Sequence, residues 1–227
     1  MKNVIVSWSS GKDATLTLER LNESKEFNVV GLFTTYLGDE VPFQATPIEV
    51  VEMQAKLLDL PLIKIVLPEV FPSNDLYQSL VVDGLNNSEL EFDCIAFGDM
   101  FCNGIAEYRR SYIEPAGWQC VFPLMGESSK ELAQEIIERG IKTILVTIDG
   151  DCIDREFCGR WYDAQLLSEL TLDIDPCGEN GEFHTLVTQT HSFSGSLELQ
   201  LSHIDHGERF SHQRYHAKAL RKANRRV

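Results

Sequence analysis

Along the first two-thirds of the chain, short runs of β-branched and aromatic residues alternate with stretches whose apolar positions recur at helical spacing. Residues 4–7, 29–35, 62–67, 92–97, 119–122 and 141–148 read as strands. Leu18 and Leu21 give one apolar face to a helix starting near Asp13, and Ile48, Val51, Ala55 and Leu58 do the same for a second. Thr46-Pro47-Ile48-Glu49 predicts where the second begins, with Thr46 as cap, Pro47 in the first turn and Glu49 completing a capping box. Pro61 ends it. Helices are also predicted over 73–86 and within 104–114, and another follows Ser128, with Glu131 completing its capping box and Gly140 as its stop. Repeated strand–helix units predict an α/β fold, a mainly parallel sheet with helices on both faces. Beyond Asp149 the helical period fades, a loop is predicted over 175–181, and short alternating runs follow at 183–188 and 197–201. A smaller α+β lobe is expected from about residue 126 onward.

Composition narrows the class without naming a chemistry. The 227 residues are 43% hydrophobic and 24% charged, which suits a globular chain with a real core. The apolar run at 144–148 is far below the roughly 20 residues that span a bilayer, and the first residues form no signal peptide. A cytoplasmic protein without membrane contact is expected. The net charge of −15 repels phosphate backbones and disfavours generic nucleic-acid binding. Past Glu208 the balance reverses: Arg209, Arg214, Lys218, Arg221, Lys222, Arg225 and Arg226 carry seven positive charges with no acid, and read as a mobile, solvated tail. The six cysteines have no Cys-x-x-Cys spacing and read as reduced, packed thiols. His203 and His206, or His212 and His216, have spacings that zinc uses; they are read as non-ligating residues of that tail.

The most informative segment joins the first strand to the first helix. In Ser7-Trp8-Ser9-Ser10-Gly11-Lys12-Asp13, small residues let backbone N–H groups approach an anion. The helix N-terminus and Lys12 add positive charge. This is not a Walker A loop, because Val6 stands where that motif needs glycine and Asp13 where it needs a hydroxyl; nor is there a Gly-x-Gly-x-x-Gly. Gly98-Asp99 ends a predicted central strand, the edge where open α/β sheets bind ligands. Asp99 can hold Mg2+ on phosphates or orient a nucleotide. Arg109 offers a fork for phosphate or carboxylate, whereas Arg110 reads as a solvated helix residue. Glu182 and His184, two apart, are expected on one face of a strand beside Glu179, binding substrate and managing a proton.

Ser9-Ser10-Gly11-Lys12-Asp13-Ala14 resembles the PP-loop Ser-Gly-Gly-Lys-Asp-Ser of ATP pyrophosphatases in the adenine nucleotide alpha-hydrolase superfamily. Ser10 replaces a glycine and Ala14 a serine; the lost hydroxyl is expected to be covered by Ser9, Ser10 and backbone N–H groups. Further blocks resemble the diphthine–ammonia ligase family: Phe97-Gly98-Asp99, Glu107-Tyr108-Arg109, Phe122-Pro123-Leu124, Gly159-Arg160, and Asp175-Pro176-Cys177-Gly178-Glu179-Asn180-Gly181-Glu182-Phe183-His184-Thr185. The resemblance implies a HUP-like, Rossmann-like ATP-binding domain over 1–125 and a substrate-binding lobe over 126–227. It implies an AMP-forming amide ligase that takes ATP, Mg2+, a carboxylate substrate and ammonia, and that can pair as a homodimer.

Residue by residue, the resemblance places ATP on Ser7, Ser9, Ser10, Gly11, Lys12, Asp13, Gly98 and Asp99, with Asp99 the metal ligand. It places substrate on Arg109, Arg160, Glu179, Asn180, Gly181, Glu182, His184 and Thr185, and catalysis on Lys12, Asp13, Glu182 and His184. Asn180 departs from a glycine of the family signature and His184 from a glutamate. A neutral imidazole does not attract a trimethylammonium group as a carboxylate does, so a different substrate is implied. Two other readings share the fold: an RNA-modifying PP-loop enzyme, which the basic tail supports, and a non-catalytic adenine-nucleotide sensor.

Overall fold

The structure is a computed structural model that describes residues 1–101 and 103–221. In chain order its elements are β1 (Lys2–Ser7), α1 (Lys12–Glu23), β2 (Phe27–Tyr36), β3 (Glu40–Val41), β4 (Thr46–Pro47), α2 (Ile48–Leu58), β5 (Leu62–Val66), α3 (Asn74–Asn86), β6 (Cys94–Ala96), α4 (Ile105–Ile113), β7 (Gln119–Val121), α5 (Ser129–Glu138), β8 (Lys142–Asp149), α6 (Ala164–Glu169), β9 (Phe183–Gln189), β10 (Gly195–His206) and β11 (Phe210–Arg221). β1 shows why the first sheet lies inside. Val4 and Val6 enter one apolar cluster and Ile5 the other, so both faces of the strand are covered, as parallel strands require.

The first sheet is parallel in the order β5-β2-β1-β6-β7. Connections run outward in both directions from β1 and β6, and the crevice beyond the carboxyl ends of those two strands is the switch point where such sheets bind ligands. The second sheet is antiparallel, in the order β10-β11-β8-β9. The predicted α/β fold with a smaller lobe is therefore present. The strand read at 141–148 is β8, which pairs antiparallel with β9 and β11 in the second sheet. A single apolar cluster takes Val4 and Val6 from the first sheet, Ile144, Val146 and Leu186 from the second, and Leu16, Leu18, Leu132 and Ile136 from the helices between.

Two helix starts depart from the sequence reading. α2 begins at Ile48 with Pro47 as its cap residue, and Thr46 forms no cap; the Thr46 hydroxyl instead accepts from Ser10 Oγ at 3.4 Å. Ser128 does cap α5, but without a side-chain hydrogen bond. Gly140 stops α5 as read, at a φ of +69°. α1 and α5 are fastened by charge. Arg20 donates to Glu127, Glu135 and the Pro123 carbonyl, and Arg139 bridges Glu23 and Glu135. Glu19, wholly buried on α1, accepts from the Thr190 hydroxyl, and burial pushes its carboxyl above the usual range.

The predicted mobile tail is the largest correction. Residues from Phe210 to Arg221 form β11, the strand between β10 and β8, in register from Gly195↔Arg221 to His206↔Ser211. Its sequence alternates. Ser211 and Gln213 are buried and Tyr215, Ala217 and Ala219 pack on the core, while Lys218 points outward. The run of like charge concealed this two-residue period. Arg209 is held by Asp149, with Nη2 2.6 Å from Oδ2. Lys222, Arg225 and Arg226 lie outside the described residues. His206 bonds Ser211 Oγ and His212 bonds Thr147 Oγ1, each at 3.0 Å, and among the described residues no three His, Cys, Asp or Glu side chains are grouped as metal ligands. No helix of the described residues is long and apolar enough to cross a membrane.

The β10–β11 pairing has a direct test. A Cβ on Gly195 would overlap the backbone carbonyl of Leu220. Gly195→Ala is expected to destabilise the protein by about 1–3 kcal/mol, read as a lower midpoint in urea unfolding. A tail that did not pair would leave the midpoint unchanged.

Candidate functional site

The turn between β1 and α1 is staked from three sides. Ser10 adopts a left-handed conformation, φ 71°, which sends its hydroxyl toward Thr46 and Gln44. Its carbonyl accepts from Gln54 Nε2 of α2 at 3.2 Å and from Val187 N–H of β9 at 3.0 Å. Gln54 also accepts from Trp8 Nε1 at 2.8 Å. Gly11 follows as the extended cap residue of α1. A Cβ on Gly11 would lie 3.2 Å from both the carbonyl and the hydroxyl oxygen of Thr185, and one on Gly98 only 3.1 Å from the Asp13 carbonyl carbon. Glycine at both positions lets β6 and β9 close on the start of the helix.

That helix start opens on a cavity of about 380 Å³. Ser7, Ser9, Gly11, Lys12, Asp13, Gly98, Asp99 and Arg109 line it from the first sheet, and Glu179, Gly181, His184 and Thr185 from the 175–185 block. Ala14, Gln44, Phe97, Cys177, Gly178 and Phe183 complete the wall. A neighbouring cavity of about 490 Å³ shares Ser7, Ser9, Gln44 and Arg109 and is lined with apolar side chains, among them Phe33, Leu67 and Tyr77.

Charge in the first cavity is arranged in pairs with one exception. Lys12 is wholly buried; its Nζ donates to both Asp13 oxygens at 2.9 Å and to the Cys177 carbonyl, and lies 5.5 Å from the centre of the Phe183 ring. Burial opposes that charge, but Asp13 outweighs it and holds the ammonium protonated above its ordinary range. Arg109 donates to Asp99 at 3.3 Å and stacks over Phe97; burial opposes its charge too, and Asp99 together with Tyr112 and Tyr77 outweighs it. The exception is Glu179. Among the described residues its carboxylate faces no cation at bonding distance and accepts only from Met100 N–H at 3.4 Å. Burial, reinforced by Asp13, pushes it up to about 7. Burial, with Lys12, lowers the His184 imidazole to about 4, so it is neutral at pH 7. Burial raises the Cys177 thiol to about 12, too high for a thiolate nucleophile.

Four predicted site residues do not face this cavity. Ser10 turns away as described. Glu182 precedes β9, so the period of two that pairs it with His184 does not apply. Its carboxylate accepts from Asp175 N–H, Asn180 N–H and Asn180 Nδ2, each at 3.0 Å, and so closes the loop on itself. Asn180 is exposed and serves that clasp. Arg160 pairs with Glu169 and stacks over Phe157. Conversely, sequence reasoning passed over Gln44 and Gln54. Gln54 had a signal, a polar residue on the apolar stripe of α2; Gln44, presented between two left-handed residues, Phe43 and Ala45, had none.

No curated protein matches the chain. Among solved structures, one similar to it is the U34-tRNA thiolase NcsA from Methanococcus maripaludis with its [4Fe-4S] cluster, at a TM-score of 0.40 and 16% identity, covering 60% of this chain and 56% of that one. The chain thus aligns with little more than half the length of that neighbour. The resemblance carried by the 175–185 block is borne out by the third comparison: residues 128–224, which bring Glu179, His184 and Thr185 to the cavity, match the family model of the diphthamide synthase C-terminal domain.

Proposed function

We propose that this protein is a PP-loop enzyme that uses ATP to activate a carboxylate as its adenylate, releasing pyrophosphate, and then joins ammonia to the acyl group with loss of AMP. One observation carries the reading. The start of α1, with Gly11, Lys12 and Asp13, opens on the same cavity as Glu179, His184 and Thr185, so a nucleotide phosphate and a second substrate meet in one place. The triphosphate lies along the helix start, where N–H groups and the helix dipole favour anions. The adjoining apolar cavity between Phe33 and Tyr77 takes the nucleoside. Mg2+ bound to phosphates needs only one or two protein carboxylates, which fits Asp99 and Asp13 on the cavity wall. When bound, it supplies neutralisation of phosphate charge.

The chain's own groups then divide the work. Lys12 and the α1 N–H groups stabilise the charge that grows on the departing pyrophosphate. Arg109 orients phosphate or the attacking carboxylate. Glu179, poised near neutral pH and without a cationic partner, takes the proton that the amine loses on forming the C–N bond. Glu182 keeps the loop closed. His184, being neutral, presents a hydrogen-bonding surface and no negative charge, which favours a carboxylate substrate without a quaternary ammonium group.

Purified protein with MgATP, ammonium and a panel of carboxylates should release AMP and pyrophosphate with at least one of them. Tight MgATP binding with no turnover across the panel would point to a nucleotide sensor instead. Lys12→Ala should lower AMP release by at least ~10²-fold. Because Glu179 acts as the base, turnover should rise with pH through about 7. Glu179→Gln should remove that limb of the profile; an unchanged profile would take Glu179 out of the mechanism.

A further inference from the structure

One cavity group is not explained by substrate binding. Thr185 sits on β9, in the second sheet, opposite Leu145 of β8. Only 3% exposed, it nevertheless lines the cavity. Its Oγ1 accepts a hydrogen bond from Lys12 N–H at 3.2 Å, at the first residue of α1. A threonine hydroxyl carries one hydrogen to give as well as lone pairs to receive. Among the described residues Thr185 Oγ1 donates to no protein acceptor, so a buried donor is left facing the helix start. An unsatisfied buried donor is costly, and a site that keeps one is shaped for something that accepts from it.

The loop itself lacks the matching group. The position that carries a serine hydroxyl in the Ser-Gly-Gly-Lys-Asp-Ser pattern is Ala14 here, and Ala14 lies on the cavity wall. Of the two serines expected to cover that position, Ser10 turns its hydroxyl to Thr46 and Gln44, away from the cavity, and Ser9, on the cavity wall, has its hydroxyl oxygen engaged within the loop by Gly11 N–H at 3.4 Å. Gly11 is the complement of this arrangement, because any side chain there would press on Thr185. We propose that Thr185 is a phosphate ligand. Its hydroxyl, carried in from the second sheet, donates to the phosphate held at the start of α1 and supplies the hydroxyl that Ala14 lacks. The inference rests on the ATP reading above and reassigns Thr185 from substrate to phosphate. It makes the phosphate site a joint product of the two sheets.

The test is calorimetric titration of the full chain with MgATP and with magnesium pyrophosphate, for wild type, Thr185→Val and Thr185→Ser. Valine keeps the shape and removes the hydroxyl, while serine keeps the hydroxyl. The expected result is a loss of about tenfold or more in affinity for both ligands in Thr185→Val, the size of one hydrogen bond to a charged acceptor. Thr185→Ser should stay near wild type in both affinity and thermal midpoint, whereas Thr185→Val should also lose some thermal stability because Lys12 N–H loses its acceptor. Undiminished binding by Thr185→Val would overturn the proposal. So would equal losses in both variants with a lowered midpoint, which would make the residue one of packing alone. Wild-type protein that binds neither ligand would instead remove the ATP reading on which the proposal stands.

Discussion

A lysine ammonium withdrawn from water must be matched by its surroundings, and the molecule is organised around meeting that demand for Lys12. An unpaired ionised group in a protein interior is prohibitively costly, and removing one partner of a buried pair costs about 3–5 kcal/mol. Lys12 finds its partners in two places. Asp13 is its neighbour on α1, and the Cys177 carbonyl comes from the 175–185 block, across the chain. The ion pair therefore does more than mark a turn. The bond from Lys12 to the Cys177 carbonyl ties the start of the first helix to the far block, and the two sheets share one apolar cluster.

The same constraint explains the character of the cavity. With Lys12 matched by Asp13 and Arg109 by Asp99, the charges nearest the helix start are largely cancelled within the protein. Beside these paired groups a ligand meets the helix N–H groups, hydroxyls and the carboxyl of Glu179. Burial then shapes those groups without further charge. It pushes Glu179 into the range where a carboxyl exchanges protons at neutral pH, strips His184 of its positive form, and silences Cys177. A cavity in which formal charges are paired and one acid is poised suits proton transfer next to phosphate.

Much of this was legible one residue at a time. The Ser7–Asp13 turn is informative because a small-residue loop between strand and helix has few physical uses, and Gly98-Asp99 because the ends of central strands face the crevice. The 175–185 block announced itself by its density of glycine and acid. Direction was not legible. Glu179, Glu182 and His184 look equivalent in sequence, yet Glu182 turns inward to clasp Asp175 and Asn180 while the other two face the cavity. Nor was the tail, since its seven positive charges suggested solvent while its alternate small residues were pairing with β10.

The sequence by itself therefore determined the elements that local physics controls: the periodicities of the strands and helices, the glycine-permissive turn, and the chemical types gathered near it. Only the tertiary structure decided which strands joined which sheet, which carboxylate faced the cavity, and that Thr185 would stand beside Lys12, 173 residues away in the chain. The reason is that hydrogen-bond direction and burial are set by what packs opposite a side chain, and that partner comes from a distant part of the sequence whose approach no local pattern encodes.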